Sequence, residues 1–130
     1  MAAIQPEDGP VRVLVVDDEP LFVEMVEALL TRDSRIEVVG SATNGREAVA
    51  LALSLMPDVI LMDISMPVMD GVEAVRVIRK RDPDTFILML TGSSFSVDID
   101  RSRQAGASGF LTKDRIGSHL VESILELMGS

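Results

Sequence analysis

The chain lacks cysteine, tryptophan and tyrosine, and it contains only four phenylalanines and two lysines among its 130 residues. Without cysteine there are no disulfides, no thiolate zinc site and no cysteine nucleophile. Scarce aromatic side chains leave no stacking platform for nucleic-acid bases. The longest apolar run spans six residues, Ala48 to Leu53, whereas a membrane-spanning helix needs roughly 20. The absence of cysteine is typical of a reducing cytosol, so we expect a cytoplasmic location.

The charge is predominantly acidic, with 21 acidic against 12 basic side chains and a formal net charge of −9. Such a surface repels phosphate backbones and anionic lipid, so we expect no direct contact with nucleic acid or membrane. A hydrophobic content of 47% predicts a folded globule, and the length suits one domain. Residues 1–10 are polar and contain Pro6, Gly9 and Pro10, which predicts a flexible lead-in to a domain over residues 11–128.

Short apolar runs alternate with segments of helical spacing along the domain. Nearly continuous apolar runs are typical of parallel strands that are covered on both faces. The segment 95–104 has the weakest pattern, because Phe95 and Ile99 fit a strand whereas its position requires a helix; we interpret it as a short, loosely held helix. The basic run Arg79 to Arg81 is interpreted as a solvated helix end. The strands are predicted at residues 11–16, 36–40, 58–62, 86–90 and 109–111.

This order predicts an α/β fold, a (βα)5 doubly wound parallel sheet of five strands with helices on both faces. The most common winding for five strands is the flavodoxin-like order 2-1-3-4-5, which reverses between strands 1 and 3. Ligands of such sheets bind beyond the carboxyl ends of the strands at that reversal. The rim at the carboxyl ends is therefore the place to search for a functional site.

Polar residues follow four of the predicted strands at this rim. Asp17 and Asp18 follow strand 1, Asp63 follows strand 3, Thr91 follows strand 4 and Lys113 comes just after strand 5. Since strands 1 and 3 are neighbours, the three carboxylates should converge and require protonation or a cation. Oxygen ligands without histidine or cysteine favour Mg²⁺. Asp63 alone fits a structural and a functional role equally well, whereas each of the other residues alone is more easily explained as a turn, cap, structural or solvated residue. Their joint placement predicts a phosphoryl pocket with a carboxylate as possible acceptor.

Four motifs in this order resemble the receiver domain of bacterial two-component response regulators, across roughly residues 11–128. The motifs cover residues 15–20, 60–71, 90–92 and 105–113. Lys113 is commonly followed by proline in that family, but Asp114 follows it here. The Lys-Asp pair is similar to receivers attached to helix-turn-helix output domains of the LuxR/FixJ kind.

The resemblance implies that Asp63 is the phosphoacceptor, which receives a phosphoryl group from a phosphohistidine of a sensor histidine kinase or from a small donor such as acetyl phosphate. It implies that Asp18 and Asp63 ligate Mg²⁺ together with the backbone carbonyl of Ser65, while Asp17 acts directly or through water. Lys113 would pair first with Asp63 and then with the phosphoryl oxygens.

Two further residues would carry the conformational switch of the family. Thr91 would move to bind the phosphoryl group, and Phe110 would swing inward behind it. The face formed by helix 4, strand 5 and helix 5 would then change and control an output domain or a protein target. The resemblance favours a C-terminal DNA-binding output domain and leaves open a phosphorylation-dependent homodimer.

Two other functions compete with this interpretation. A Mg²⁺-dependent phosphohydrolase acting on small substrates would need a general acid, which a second aspartate two residues after Asp63 would supply; Ser65 stands there instead. A pure interaction module would not need Asp18, Asp63, Thr91 and Lys113, all of which are present. We therefore expect a signalling switch that catalyses only its own phosphorylation and dephosphorylation.

Overall fold

Five strands and five α-helices alternate in a computed structural model of the chain, which describes residues 9–66, 68–92 and 96–129. No helix within these ranges has the length and apolar character that a membrane span requires. A 3₁₀ turn, Lys113–Arg115, precedes the last helix. The elements are β1 (Val11–Val16), α1 (Pro20–Thr31), β2 (Ile36–Ala42), α2 (Gly45–Leu55), β3 (Val59–Asp63), α3 (Gly71–Arg81), β4 (Phe86–Thr91), α4 (Ser96–Ala105), β5 (Gly109–Thr112) and α5 (Ile116–Leu127).

The strands form one parallel sheet in the order β2-β1-β3-β4-β5, which confirms the predicted fold class and winding. Successive parallel strands need a crossover connection, and here each crossover is a helix. At the reversal of the winding, Val16 of β1 lies opposite Met62 of β3. The residues that follow these two strands therefore begin side by side.

Both faces of the sheet are buried under helices. Val13 and Val15 of β1 point into a core shared with α1 and α5, whereas Leu14 and Val16 point into a second core shared with α2, α3 and the end of α4. All four side chains are fully buried. This double burial explains why the strands read as continuous apolar runs in the sequence.

Asn44 and Asp70-Gly71 are helix starts that the sequence predicts from its capping residues, and the structure confirms both. The Asn44 side chain accepts a hydrogen bond from the Glu47 N–H (2.9 Å) at the start of α2, and Asp70 accepts one from the Glu73 N–H (2.9 Å) at the start of α3. Each carboxylate or amide oxygen satisfies a backbone donor that the helix itself leaves unpaired. Met56 ends α2 in the left-handed region, with φ of 50°.

Several predicted boundaries shift by one or two residues. β2 extends to Ala42 and β5 to Thr112, and β3 runs from Val59 to Asp63. The segment predicted as a loosely held helix is α4, Ser96–Ala105. Residues 1–8 of the predicted lead-in and Phe95 lie outside the described residues. Asp63 is therefore the last residue of a strand rather than the first residue of a loop.

The prediction of a solvated helix end at the basic run is wrong for Arg79. Its guanidinium is half-buried and donates to the carbonyl oxygen of Gly106 from Nε (3.1 Å) and Nη2 (2.8 Å). Nη1 also donates to the carbonyl oxygens of Thr85 (2.6 Å) and Asp82 (3.2 Å). These four hydrogen bonds to backbone carbonyl oxygens replace hydration of the guanidinium. Arg79 therefore ties the carboxyl end of α4 to α3.

Two glycines fix the loop between β3 and α3 by close backbone contact. The N–H of Gly71 donates to the carbonyl oxygen of Ile64 (2.8 Å), and the N–H of Gly45 donates to that of Met69 (2.9 Å). A Cβ atom at Gly71 would collide with the carbonyl oxygen of Asp63, and one at Gly45 with that of Met69. Only glycine allows the backbone to approach this closely.

We expect Gly71→Ala to lower the free energy of unfolding by about 2 kcal/mol or more, because the new methyl group displaces the backbone of Asp63. Urea unfolding followed by circular dichroism measures the change. Gly117→Ala is the matched control, since nothing lies within 4 Å of a Cβ at that position of α5. There the same substitution should raise the stability by about 0.5–1 kcal/mol. Equal stability of Gly71→Ala and the wild type would contradict the prediction.

Candidate functional site

Three carboxylates converge at the carboxyl ends of β1 and β3, as the sequence predicts. Asp17 is fully buried, Asp63 is 5% exposed and Asp18 is exposed. One carboxylate oxygen from each residue lies within 4.8 Å of those of the other two. The strands place these groups together although Asp63 is distant from the pair along the chain.

Backbone hydrogen bonds hold the two buried carboxylates in place. The N–H of Asp17 donates to the carbonyl oxygen of Ala42 (3.1 Å), which extends the pairing of β1 and β2 by one residue. Oδ1 of Asp17 accepts from the N–H of Glu19 (2.9 Å), just before α1 begins. Oδ1 of Asp63 accepts a long hydrogen bond from the N–H of Ser65 (3.4 Å). The predicted role of the Ser65 carbonyl as a metal ligand stays a prediction.

Lys113 reaches into this cluster from the end of β5. Its Nζ lies 2.8 Å from Oδ2 of Asp17, 3.7 Å from Oδ1 of Asp63 and 3.7 Å from Oε1 of Glu19. Burial lowers the pKa of Lys113, but the Asp17 carboxylate and the charges of Asp63 and Glu19 outweigh burial, so the net shift is upward. The lysine is therefore a permanent cation of the site.

The electrostatics of the cluster are unbalanced. Burial, followed by the charges of Asp17 and Asp18, raises the pKa of Asp63 to about 7, while Lys113 and the Ser65 N–H oppose the shift. One lysine thus does not compensate three carboxylates at neutral pH. The site therefore carries excess negative charge when all three carboxylates are ionised.

The donor set fits a hard divalent cation. Its ligand atoms are carboxylate oxygens, which suit Mg²⁺. Oδ2 of Asp17 is buried and makes no hydrogen bond of regular geometry with any described residue, although the Lys113 ammonium is close to it. An oxygen of this kind is available to a metal ion. The cluster of Asp17, Asp18 and Asp63 is accordingly a candidate magnesium site.

Thr91 and Phe110 lie at the same end of the sheet. Thr91 is 5% exposed at the end of β4, one residue beyond Leu90, which pairs with Asp63. Phe110 of β5 is half-buried, and the guanidinium of Arg103 lies 5.2 Å from its ring centroid. Both residues line a cavity of about 590 Å³. Both residues of the predicted switch therefore border open space.

Two contacts of Lys113 were not predicted from the sequence. Glu19 lies 3.7 Å from the ammonium, and the ring centroid of Phe22 lies 4.4 Å from it. The helical spacing of apolar residues assigns Phe22 to the buried face of α1. The contact of Phe22 with the site could have been inferred from its position in the first turn of α1, because this helix begins at the rim that carries the carboxylates.

Comparisons with known proteins agree with this geometry. Residues 13–125 match the family described as the response regulator receiver domain. The chain is 32% identical to the response regulator domain of CheB from Thermotoga maritima, with a TM-score of 0.87 over 93% of this chain and 98% of that one. It is 35% identical to the signal receiver domain of the putative response regulator NarL from Mycobacterium tuberculosis, with a TM-score of 0.88 over 94% of this chain and 99% of that one.

Among curated proteins, the chain is similar to a protein-glutamate methylesterase/protein-glutamine glutaminase of Pseudomonas fluorescens, with 49% identity over 106 residues. That alignment covers 80% of this chain and 28% of the relative. The chain thus spans about a third or less of the length of such relatives. Because they are named as methylesterases, they do not support the expected DNA-binding output domain.

We expect the metal-free chain to lose stability as pH rises from about 4 to 8, because of Asp63. Its pKa is about 7 in the folded chain and near the ordinary 3.8 when unfolded. Below pH 4 both states carry the proton; between the two values the unfolded state releases it first, so deprotonation opposes folding. Asp63→Asn should therefore stabilise the chain by on the order of 2 kcal/mol at pH 8 and not at pH 4.

Urea unfolding in a chelator at several pH values tests this expectation. Asp100→Asn is the matched control, because Asp100 is an exposed aspartate of α4. The control should differ from the wild type by the same amount at every pH. A pH-independent effect of Asp63→Asn would mean that burial and the neighbouring carboxylates do not shift its titration.

Magnesium should raise the melting temperature at neutral pH, because the ion binds the folded carboxylate cluster and not the unfolded chain. Even changes in the outer shell of a metal site weaken binding about 10- to 100-fold, so Asp18→Asn should weaken magnesium binding by about tenfold or more. Isothermal titration calorimetry measures the affinity. Asp100→Asn should bind as the wild type does, and unchanged affinity in Asp18→Asn would exclude that carboxylate from the site.

Proposed function

Because this chain belongs to the family of response regulator receiver domains, we propose that residues 11–128 form one receiver domain in which Asp63 accepts the phosphoryl group. A receiver domain is a phosphoacceptor switch of a two-component system. The observation that supports the assignment to Asp63 is the convergence of Asp17, Asp18, Asp63 and Lys113 on one rim of the sheet.

The reaction proposed for Asp63 is a substitution at phosphorus. A carboxylate oxygen of Asp63 forms the new P–O bond while the bond to the leaving group breaks, and the electron pair departs with that group. The leaving group is the imidazole of a kinase phosphohistidine or the acetate of acetyl phosphate. Asp63 must be ionised to attack, so the raised pKa of the metal-free carboxyl has to fall when positive charge arrives.

The neighbouring residues supply alignment and charge. Phosphoryl transfer depends mainly on positioning and on neutralising the phosphoryl oxygens. Asp18, Asp63 and the Ser65 carbonyl would hold Mg²⁺, with Asp17 acting directly or through water; when bound, the ion neutralises the carboxylates and the incoming phosphoryl group. Lys113, 3.7 Å from Asp63, is placed to pair with a phosphoryl oxygen.

The proposed switch follows from the new charge on Asp63. Thr91 turns its hydroxyl toward the phosphoryl group, and Phe110 moves into the cavity of about 590 Å³ that both residues line. The surface of α4, β5 and α5 then differs between the two states, because Phe110 leaves its contact with Arg103. The domain signals through this surface.

The partners proposed for the domain are a sensor histidine kinase as phosphodonor, in the cytoplasm, and an output unit. Similarity to methylesterase/glutaminase relatives supports an output of that enzymatic kind over a DNA-binding one. A native reading frame that carries a helix-turn-helix domain beside this one would overturn the choice. The family does not favour the phosphohydrolase alternative, and the chain has serine where that alternative needs an acid.

Incubation with Mg²⁺ and acetyl phosphate should add one phosphoryl group, stable in acid and labile in alkali, because acyl phosphates hydrolyse in base. Intact-mass spectrometry followed by peptide mapping locates the group. Asp63→Asn should lose it, and Asp100→Asn should retain it. An adduct that persists in Asp63→Asn would refute the assignment, and steady turnover of many phosphates per chain would favour the phosphohydrolase.

A further inference from the structure

The ammonium of Lys113 has one uncharged partner among its described contacts, the aromatic ring of Phe22. The ring centroid lies 4.4 Å from Nζ, within the range of a cation–π interaction. The other contacts are carboxylates, of which Asp17 is the nearest at 2.8 Å. Lys113 is about one-fifth exposed, so water only partly screens these interactions.

The fold presents Phe22 to the lysine from the first turn of α1. The helix begins at Pro20, and Phe22 is half-buried against the core that α1 shares with the sheet and α5. Its neighbour Leu21 is 80% exposed, so the same turn directs one apolar side chain to solvent and the next toward the functional rim. Phe22 is therefore held by packing, independently of the lysine.

We propose that Phe22 is a positioning residue for Lys113 during phosphoryl transfer, an inference that rests on the proposed function of Asp63. The carboxylates that hold the ammonium are the same groups that a metal ion and a phosphoryl group engage. When their charge is neutralised, the ion pairs of Lys113 weaken. The attraction of the ring does not depend on the carboxylate charge, so Phe22 keeps the flexible lysine beside Asp63 when its ion pairs no longer do.

The chain offers a direct spectroscopic test, because it contains only two lysines, Lys113 and Lys80. With isotope-labelled lysine, ring-current shielding should move the side-chain signals of Lys113 upfield, while those of the exposed Lys80 stay at ordinary positions. Phe22→Leu keeps an apolar side chain but removes the ring, so the upfield shift should disappear. Phe22→Tyr should retain it. A Lys113 signal that is unaffected by Phe22→Leu would refute the contact.

The functional consequence is measured as the initial rate of phosphorylation by acetyl phosphate at saturating Mg²⁺. Phe22→Leu should slow the reaction about two- to fivefold, which corresponds to about 0.5–1 kcal/mol for a cation–π interaction. Phe22→Tyr should restore the rate. Phe86→Leu is the matched control, because Phe86 packs against the same core at the opposite end of the sheet and should leave the rate unchanged.

The outcomes separate this proposal from the function on which it rests. If the wild type takes up no phosphoryl group on Asp63, the proposed function fails, whereas the Lys113 signals still report the contact with Phe22. If the wild type is phosphorylated and Phe22→Leu reacts at the same rate, the positioning role is wrong. Equal slowing in Phe22→Leu and Phe22→Tyr would also overturn it, because the aromatic ring would then have no part.

Discussion

The structure depends on the proximity of negatively charged groups at the end of the sheet. Asp17 and Asp63 are buried side by side, and one ammonium group, that of Lys113, lies between them. Burial of like charges costs folding energy, which is expressed in the raised pKa of Asp63. The same excess of negative charge favours a dication at the cluster. The proposed reaction at Asp63 thus starts from a site whose electrostatics are unfavourable until positive charge arrives.

The rest of the fold positions these charged groups. The reversal of winding makes β1 and β3 neighbours. Residues that are far apart in sequence therefore lie side by side where these two strands end. Gly45 and Gly71 bring the backbone of the loop after Asp63 against two helix starts, where side chains would not fit. Preorganised charges of this kind need little rearrangement during reaction, which is the main contribution a protein makes to phosphoryl transfer.

The sequence was sufficient to predict the sheet order, the helix starts at Asn44 and Asp70, and the convergence of the three carboxylates. Those features follow from local rules: buried parallel strands are continuously apolar, and their carboxyl ends share one rim. The contacts of Phe22 with Lys113 and of Arg79 with Gly106 were not predictable in this way. Both depend on how a helix is rotated about its axis, which is set by packing between elements. Apolar periodicity placed Phe22 in the core, and charge placed Arg79 in solvent; tertiary contacts gave each side chain a specific partner.

The hydrogen bonds of the Arg79 guanidinium bear on how α4 would move in the proposed switch. The guanidinium anchors the carboxyl end of α4 through Gly106, so this helix can pivot about that end more easily than it can slide. With ten residues, α4 is about 15 Å long. In the proposed switch, a rotation of α4 about this end would therefore displace its surface most at the end farthest from Arg79.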